Sequence, residues 1–209
     1  AQDEAQRGFD AMPLRLRIAS LSPSFAAADA ARDPRLQCRW LGVEARGGRW
    51  LHGVHLRPLP GPAGAWGALS PYGYGGPLAD HDDADFLARA WAAYTAWCRA
   101  QGVLAEFCRF HPEAGNEAFY GGVAQDNRMT VSVDLGLPTI ESQFSTLALR
   151  KLRRARSRGA TVRFSRAPAD FAQFVPFYRA AMVAMGAAPW SPVQRSASST
   201  PRAGSWVRG

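Results

Sequence analysis

Two periods of apolar positions run along this chain. A period of two dominates from Leu36 to Leu59, where "LQCRWLGVEA", a turn at Gly47 and Gly48, and "RWLHGVHLRPL" predict a β-hairpin. "PLPGPAG" then reads as a loop from its prolines and glycines. Upstream, Leu14, Leu16 and Ile18 alternate with Arg15 and Arg17, which predicts a half-buried strand, and "FAAADAARD" predicts a short helix. The helical period is clearest after residue 80. Asp80 and Asp82 stand there as candidate caps, and Phe86, Leu87, Ala90, Trp91, Tyr94, Trp97 and Cys98 form one broad face that ends at Gly102. That aromatic face is read as core, because a helix with such a stripe must bury it.

The alternation returns in "VLAEFCRF", a strand stopped by His111 and Pro112, and in "RMTVSVDL", with Met129, Val131, Val133 and Leu135 on one side. A second helix is expected from about Pro138 to Arg158, apolar at Ile140, Phe144, Leu147, Ala148, Leu152 and Ala155 and basic over its last turns. After Gly159, "ATVRFS" predicts a short strand and "APADFAQFVPFYRAAMVAMGA" a helix kinked at Pro176. Beyond Gly186 the chain is rich in Ser, Pro, Arg and Gly and shows no period. Strands and helices in this order predict an α+β (mixed α/β) fold.

Charge divides the sequence more sharply than hydropathy does. Residues 1–149 hold 13 basic and 16 acidic side chains, whereas residues 150–209 hold 12 basic side chains and the single acid Asp170. Seven arginines and Lys151 fall within residues 150–166. Such a field attracts phosphate, which makes Arg150, Lys151, Arg153, Arg154 and Arg156 candidate phosphate-binding residues, with Arg158 beside them. A solvated helix face explains the same run, and no aromatics are interleaved with it for base stacking. Arg outnumbers Lys 24 to 1, so Arg identity alone carries little. Three cysteines without a CxxC spacing suggest neither a disulfide framework nor a metal site. No stretch approaches the roughly 20 apolar residues of a membrane span, and the acidic start is unlike a signal peptide. A cytoplasmic protein is the expectation.

"SPYGYGGP", residues 70–77, is a loop whose glycines permit positive φ. Its tyrosines are not required by a turn, and loops carry function disproportionately, so Tyr72 and Tyr74 are candidate ligand contacts. In "EFCRFHP", strict alternation puts Glu106 with Cys108 and Phe110 on one face, and Arg109 with Phe107 and His111 on the other. Arg109 and His111 could meet one anion; nothing places an amine near Glu106 as a general base.

The order "SPYGYGGPLAD", an acid-started helix, "EFCRFHP", Asn116, "TVSVDL" and "LRKLRRARSRGATV" resembles the N-terminal half of the FemAB-like acyltransferases of the GNAT superfamily, among them enzymes that build peptidoglycan peptide bridges. The resemblance covers roughly residues 38–186 and stops where family members continue into a second GNAT-like domain, so the sequence reads as truncated or frameshifted there. It implies a poorly assigned segment at 1–37, a first GNAT-like domain at 38–136, a connecting basic helix with the first strand and helix of a second such domain at 137–186, and an irregular tail at 187–209. It further implies an acceptor cleft lined by Tyr72, Tyr74, Arg109, His111 and Asn116, with Asp134 structural. The implied acceptor is an amine of a cell-envelope precursor or amino sugar, and the donor acyl-CoA or aminoacyl-tRNA, with tRNA contact by the basic helix. No cofactor is expected bound, no glycine-rich donor loop is found, and the implied chain binds acceptor weakly or not at all and does not turn over. The rival from composition alone is a noncatalytic phosphate- or RNA-binding module acting through residues 150–166.

Overall fold

The alternating segments at 37–58 form the centre of the fold in the computed structural model, which describes residues 2–45, 47–61, 63–186 and 205–208. Strands β1 (Gln37–Ala45) and β2 (Gly48–Pro58) pair antiparallel, from Gln37 opposite Leu56 to Ala45 opposite Gly48. Side chains alternate across a strand, so Trp50, Val54 and Leu56 of β2 face one core with Leu41, Val43, Phe86, Ala90 and Tyr94. Leu51 faces a second core with Phe9, Met12, Leu16, Trp40 and Leu78. Burial on both faces is why β2 carries apolar residues on each of them, Leu51 on one and Trp50, Val54 and Leu56 on the other. Gly53 is required there: a Cβ would come within 2.5 Å of the Trp40 ring directly opposite.

The chain divides into two compact units, Ala1–Asp126 with Ser191–Gly209 and Asn127–Trp190. In the first, β3 (Trp66–Leu69) and β4 (Leu78–Ala79) both pair antiparallel with β2, with Leu69 opposite His55 and Leu78 opposite Leu51. β5 (Val103–Phe107) pairs parallel with β3, and β6 (Ser205–Arg208) pairs parallel with β1. The sheet order is β5-β3-β2-β1-β6. Helices α1 (Gln2–Asp10) and α2 (Pro23–Ala30) supply the core that contains Leu51 and Trp40, and α3 (Ala84–Ala100) covers the core that contains Trp50. The architecture is α+β, with helices on both faces of a mixed sheet.

Several expectations change. The strand expected over Leu14–Ile18 is replaced by single 3-10 turns at Leu14–Leu16 and Ala19–Leu21, from which Leu16 and Leu21 reach the core without a ladder partner. Asp83, rather than Asp80 or Asp82, caps α3 by accepting the Phe86 N–H at 2.7 Å. Asp80 instead accepts the Arg49 N–H at 2.6 Å. Of the expected irregular tail, residues 187–204 and 209 lie outside the described residues, and Ser205–Arg208 is a strand.

The second unit contains α4 (Thr146–Ser157) and α5 (Pro168–Ala184). α4 starts eight residues later than expected, because Ser145 caps it and Phe144 is extended after a separate 3-10 turn at Ile140–Gln143. Neither "RMTVSVDL" nor "ATVRFS" forms a strand. Met129 is 98% exposed, Val131 95% and Phe164 fully exposed, and no described residue of this unit is buried. Neither segment has a ladder partner among the described residues, so its alternation faces no sheet there. Among the described residues no helix is long and apolar enough to cross a membrane, and no three His, Cys, Asp or Glu converge as a metal-binding set.

Candidate functional site

β3 and β4 occupy the same edge of β2, so "SPYGYGGP" is an eight-residue excursion from a single strand position. It follows β5 past its end. The Ser70 N–H donates to the Phe107 carbonyl at 3.0 Å, the Arg109 N–H to Ser70 Oγ at 3.2 Å, and the Gly75 N–H to the Arg109 carbonyl at 2.8 Å. Gly75 also bridges Phe110 in parallel register. Segments 70–77 and 107–111 therefore run side by side just beyond the carboxyl ends of two adjacent parallel strands.

The glycines answer to geometry. Gly73 and Gly76 have φ of +92° and +101°. A Cβ on Gly75 would meet Ser70 at 2.6 Å, and one on Gly76 would meet both Asn116 Nδ2 and the Phe110 ring at 2.7 Å. The loop can lie this close to its neighbours only without side chains at those positions.

The five residues expected at the cleft come together here in different roles. Tyr74 and His111 are half-buried and meet edge to face with ring centres 5.0 Å apart. His111 Nδ1 accepts the Glu113 N–H at 3.2 Å, which assigns the proton of the neutral ring to Nε2. Arg109 is exposed beside them. Tyr72 is 72% exposed, with the Arg32 guanidinium 5.5 Å over its ring. Asp29, itself largely buried, anchors that turn by accepting the Tyr72 N–H at 2.8 Å and pairing with Arg32 at 2.6 Å. Asn116 is fully buried: its amide donates to the carbonyls of Gly75 at 2.8 Å and Pro77 at 3.3 Å, and its oxygen accepts the His111 N–H at 3.2 Å. Asn116 is thus the clamp that joins the two segments, and it presents nothing to a ligand. Asp134, read as structural, accepts the Gly136 N–H at 2.8 Å.

Beneath this edge lies a polar cluster that sequence reasoning missed in part. His52 Nε2 donates to Glu106 Oε1 at 2.8 Å, and the Tyr120 hydroxyl donates to Glu106 Oε2 at 3.2 Å. Burial would raise the Glu106 carboxyl, but the charge and hydrogen bond of His52 and the neighbouring hydroxyls outweigh it and hold the carboxyl below the usual carboxylate range. Burial, with Glu106 beside them, pushes the Tyr94 and Tyr120 phenols well up. The Tyr94 hydroxyl also faces Glu106, and His52 Nδ1 is buried with no hydrogen-bond partner among the described residues. The sequence signal was His52 on the apolar face of β2, level with Trp50, Val54 and Leu56. On the other face, His55 Nε2 donates to the Ala26 carbonyl at 3.0 Å, and burial holds its imidazole below the usual range.

The candidate phosphate residues sit on α4, where Arg150, Lys151, Arg153, Arg154 and Arg156 are all exposed. The apolar positions read on this helix, Ile140, Phe144, Leu147, Ala148, Leu152 and Ala155, are exposed or half-buried. Arg156 pairs with Glu141 at 3.1 Å. Cys38, Cys98 and Cys108 are free and half-buried, and burial pushes the first two thiols up to about 11.

Comparison with protein-family models, with curated proteins and with solved structures finds no match to this chain.

Proposed function

We propose that this chain is the acceptor-binding part of a FemAB-like N-acyltransferase, a member of the GNAT superfamily that transfers an acyl or aminoacyl group to an amine of a cell-envelope precursor. Acyl-CoA or aminoacyl-tRNA is the donor in this reading. The observation that carries it is the meeting of Tyr74 with His111, next to the exposed Arg109, just past the carboxyl ends of β3 and β5. In open α/β sheets, ligands bind outside the carboxyl ends of the parallel strands, and the β3–β5 pair offers such an end. Tyr74 and His111 supply an aromatic corner, and Arg109 an exposed guanidinium for an anionic group of the acceptor. The acyl-transfer chemistry itself comes from the motif resemblance. Glu106 is a poor base in this arrangement, since both its oxygens are engaged and its carboxyl is held low.

Calorimetric titration with UDP-N-acetylmuramoyl-pentapeptide as the probe tests the reading. Tyr74→Ala and Arg109→Ala are each expected to weaken binding about tenfold, the equivalent of one good contact. Equal binding by parent and variants, or no binding by the parent, overturns it.

A second reading is favoured by the exposure of every basic side chain on α4: a phosphate- or RNA-binding surface. Affinity for a single-stranded RNA would then fall with a log–log salt slope of about −0.7 per phosphate contacted, and would collapse when Arg153, Arg154 and Arg156 become Ala. RNA binding unchanged by that triple substitution eliminates it.

A further inference from the structure

Glu106 reaches the binding edge at second hand. Its side chain is only 10% exposed, yet one oxygen is held by His52 on β2 and the other by Tyr120, the residue that follows the Asn116–Phe119 turn. Two routes lead from Tyr120 to the 70–77 loop. Through space, the Tyr120 ring meets Phe110 edge-on at 5.2 Å, and Phe110 lies so close over Gly76 that a Cβ there would be 2.7 Å from its ring. Through the chain, the turn begins at Asn116, whose amide holds the carbonyls of Gly75 and Pro77 and whose oxygen receives the His111 N–H. The turn is also held by the Trp50 indole N–H, which donates to the Phe119 carbonyl at 3.1 Å, by the packing of Phe119 against the cores, and by the Trp91 ring 4.6 Å from that of Tyr120.

We propose that Glu106, acting through Tyr120, is the positioning residue of this edge: its carboxylate fixes the phenol, the phenol fixes Phe110 and the Asn116 turn, and these fix the loop that carries Tyr74 against His111. The importance of the edge rests on the reading of it as an acceptor-binding face, but the mechanical link can be measured without any ligand. The groups that face Glu106 are His52 from β2, Tyr94 and Cys98 from α3, Tyr120 from the turn, and Cys108 just past the end of β5. Burial raises both phenols and both thiols, so these four stay protonated and neutral across the acidic range. Acid therefore acts on the link through the Glu106 carboxylate. Glu106→Gln keeps the shape and removes the charge, whereas Tyr120→Phe removes one hydroxyl and leaves the His52 contact alone.

Amide hydrogen exchange on the whole chain, read by NMR, follows two reporters: the Gly75 N–H, bonded to the Arg109 carbonyl, and the His111 N–H, bonded to Asn116. Tyr120→Phe is expected to raise exchange at both about tenfold, the equivalent of one lost hydrogen bond, and to leave the β1–β2 hairpin as protected as before. Glu106→Gln added to Tyr120→Phe should then change the two reporters no further. In the parent, their protection should fall as acid protonates Glu106, and Tyr120→Phe should abolish that pH dependence. Unchanged protection in Tyr120→Phe, multiplying effects in the double variant, or a pH profile that survives the loss of the hydroxyl each overturn the proposal. If the reporters respond as expected while the parent fails to bind UDP-N-acetylmuramoyl-pentapeptide, the positioning role stands and the acceptor reading falls.

Discussion

β2 and residues 128–135 are both written in alternating apolar positions, and they end in opposite environments. Trp50 and Leu51 of β2 are completely buried, one on each face, whereas Met129 and Val131 are almost completely exposed. The difference is in what each segment meets. β2 has β1 on one side, β3 and β4 on the other, and helix-bearing cores above and below; residues 128–135 have no ladder partner among the described residues. Periodicity therefore specifies which side chains share a face, and a partner element decides whether that face is worth any free energy.

The sharpest way to break this contrast is a pair of truncations. Trp50→Ala is expected to cost about 3–5 kcal/mol in urea denaturation, and Met129→Ala less than about 0.5 kcal/mol. Equal costs would mean that the second segment packs as tightly as the first. Next in size is His52→Ala, which leaves the Glu106 charge buried without its partner; a loss of about 3 kcal/mol is expected by the same measurement. Gly76→Ala should cost about 2 kcal/mol, because the site demands positive φ and its Cβ would strike Asn116 and Phe110. A loop with freedom to shift would absorb it at no cost.

The smallest effect is a pH dependence. The folded-state carboxyl of Glu106 is held below its ordinary value, so its contribution to stability is fully present above the usual carboxylate range and is lost as the pH falls through the folded value. Urea midpoints measured downward from pH 5 should fall less steeply in Glu106→Gln than in the parent. Parallel profiles would show that the pair with His52 contributes nothing to acid sensitivity.

What could be read from the sequence follows the same division. The hairpin, α3 and the start of β5 were legible because each has a strong local period and a local punctuation mark, the Gly47–Gly48 turn and Gly102; the α3 cap was read at Asp80 or Asp82 instead of Asp83, and β5 was read three residues too long. The loop at 70–77 was legible as a candidate because its tyrosines exceed what a turn requires. Asn116 was named for the wrong task, since nothing local reveals that its amide would be used up by carbonyls some 40 residues earlier. Glu106 was visible, but His52 and Tyr120 were not joined to it, because three segments meet there only after the sheet forms. Local pattern misled most where it stood alone, in "RMTVSVDL" and "ATVRFS".

The central claim is that the end of the β3–β5 pair is a ligand-binding edge. An NMR titration of the chain with UDP-N-acetylmuramoyl-pentapeptide maps it directly. Saturable shifts in the Tyr74 and His111 ring signals and in the Arg109 side-chain N–H, with α4 unmoved, are the expected result. Shifts confined to the arginines of α4, or no saturable shift at all, would contradict it.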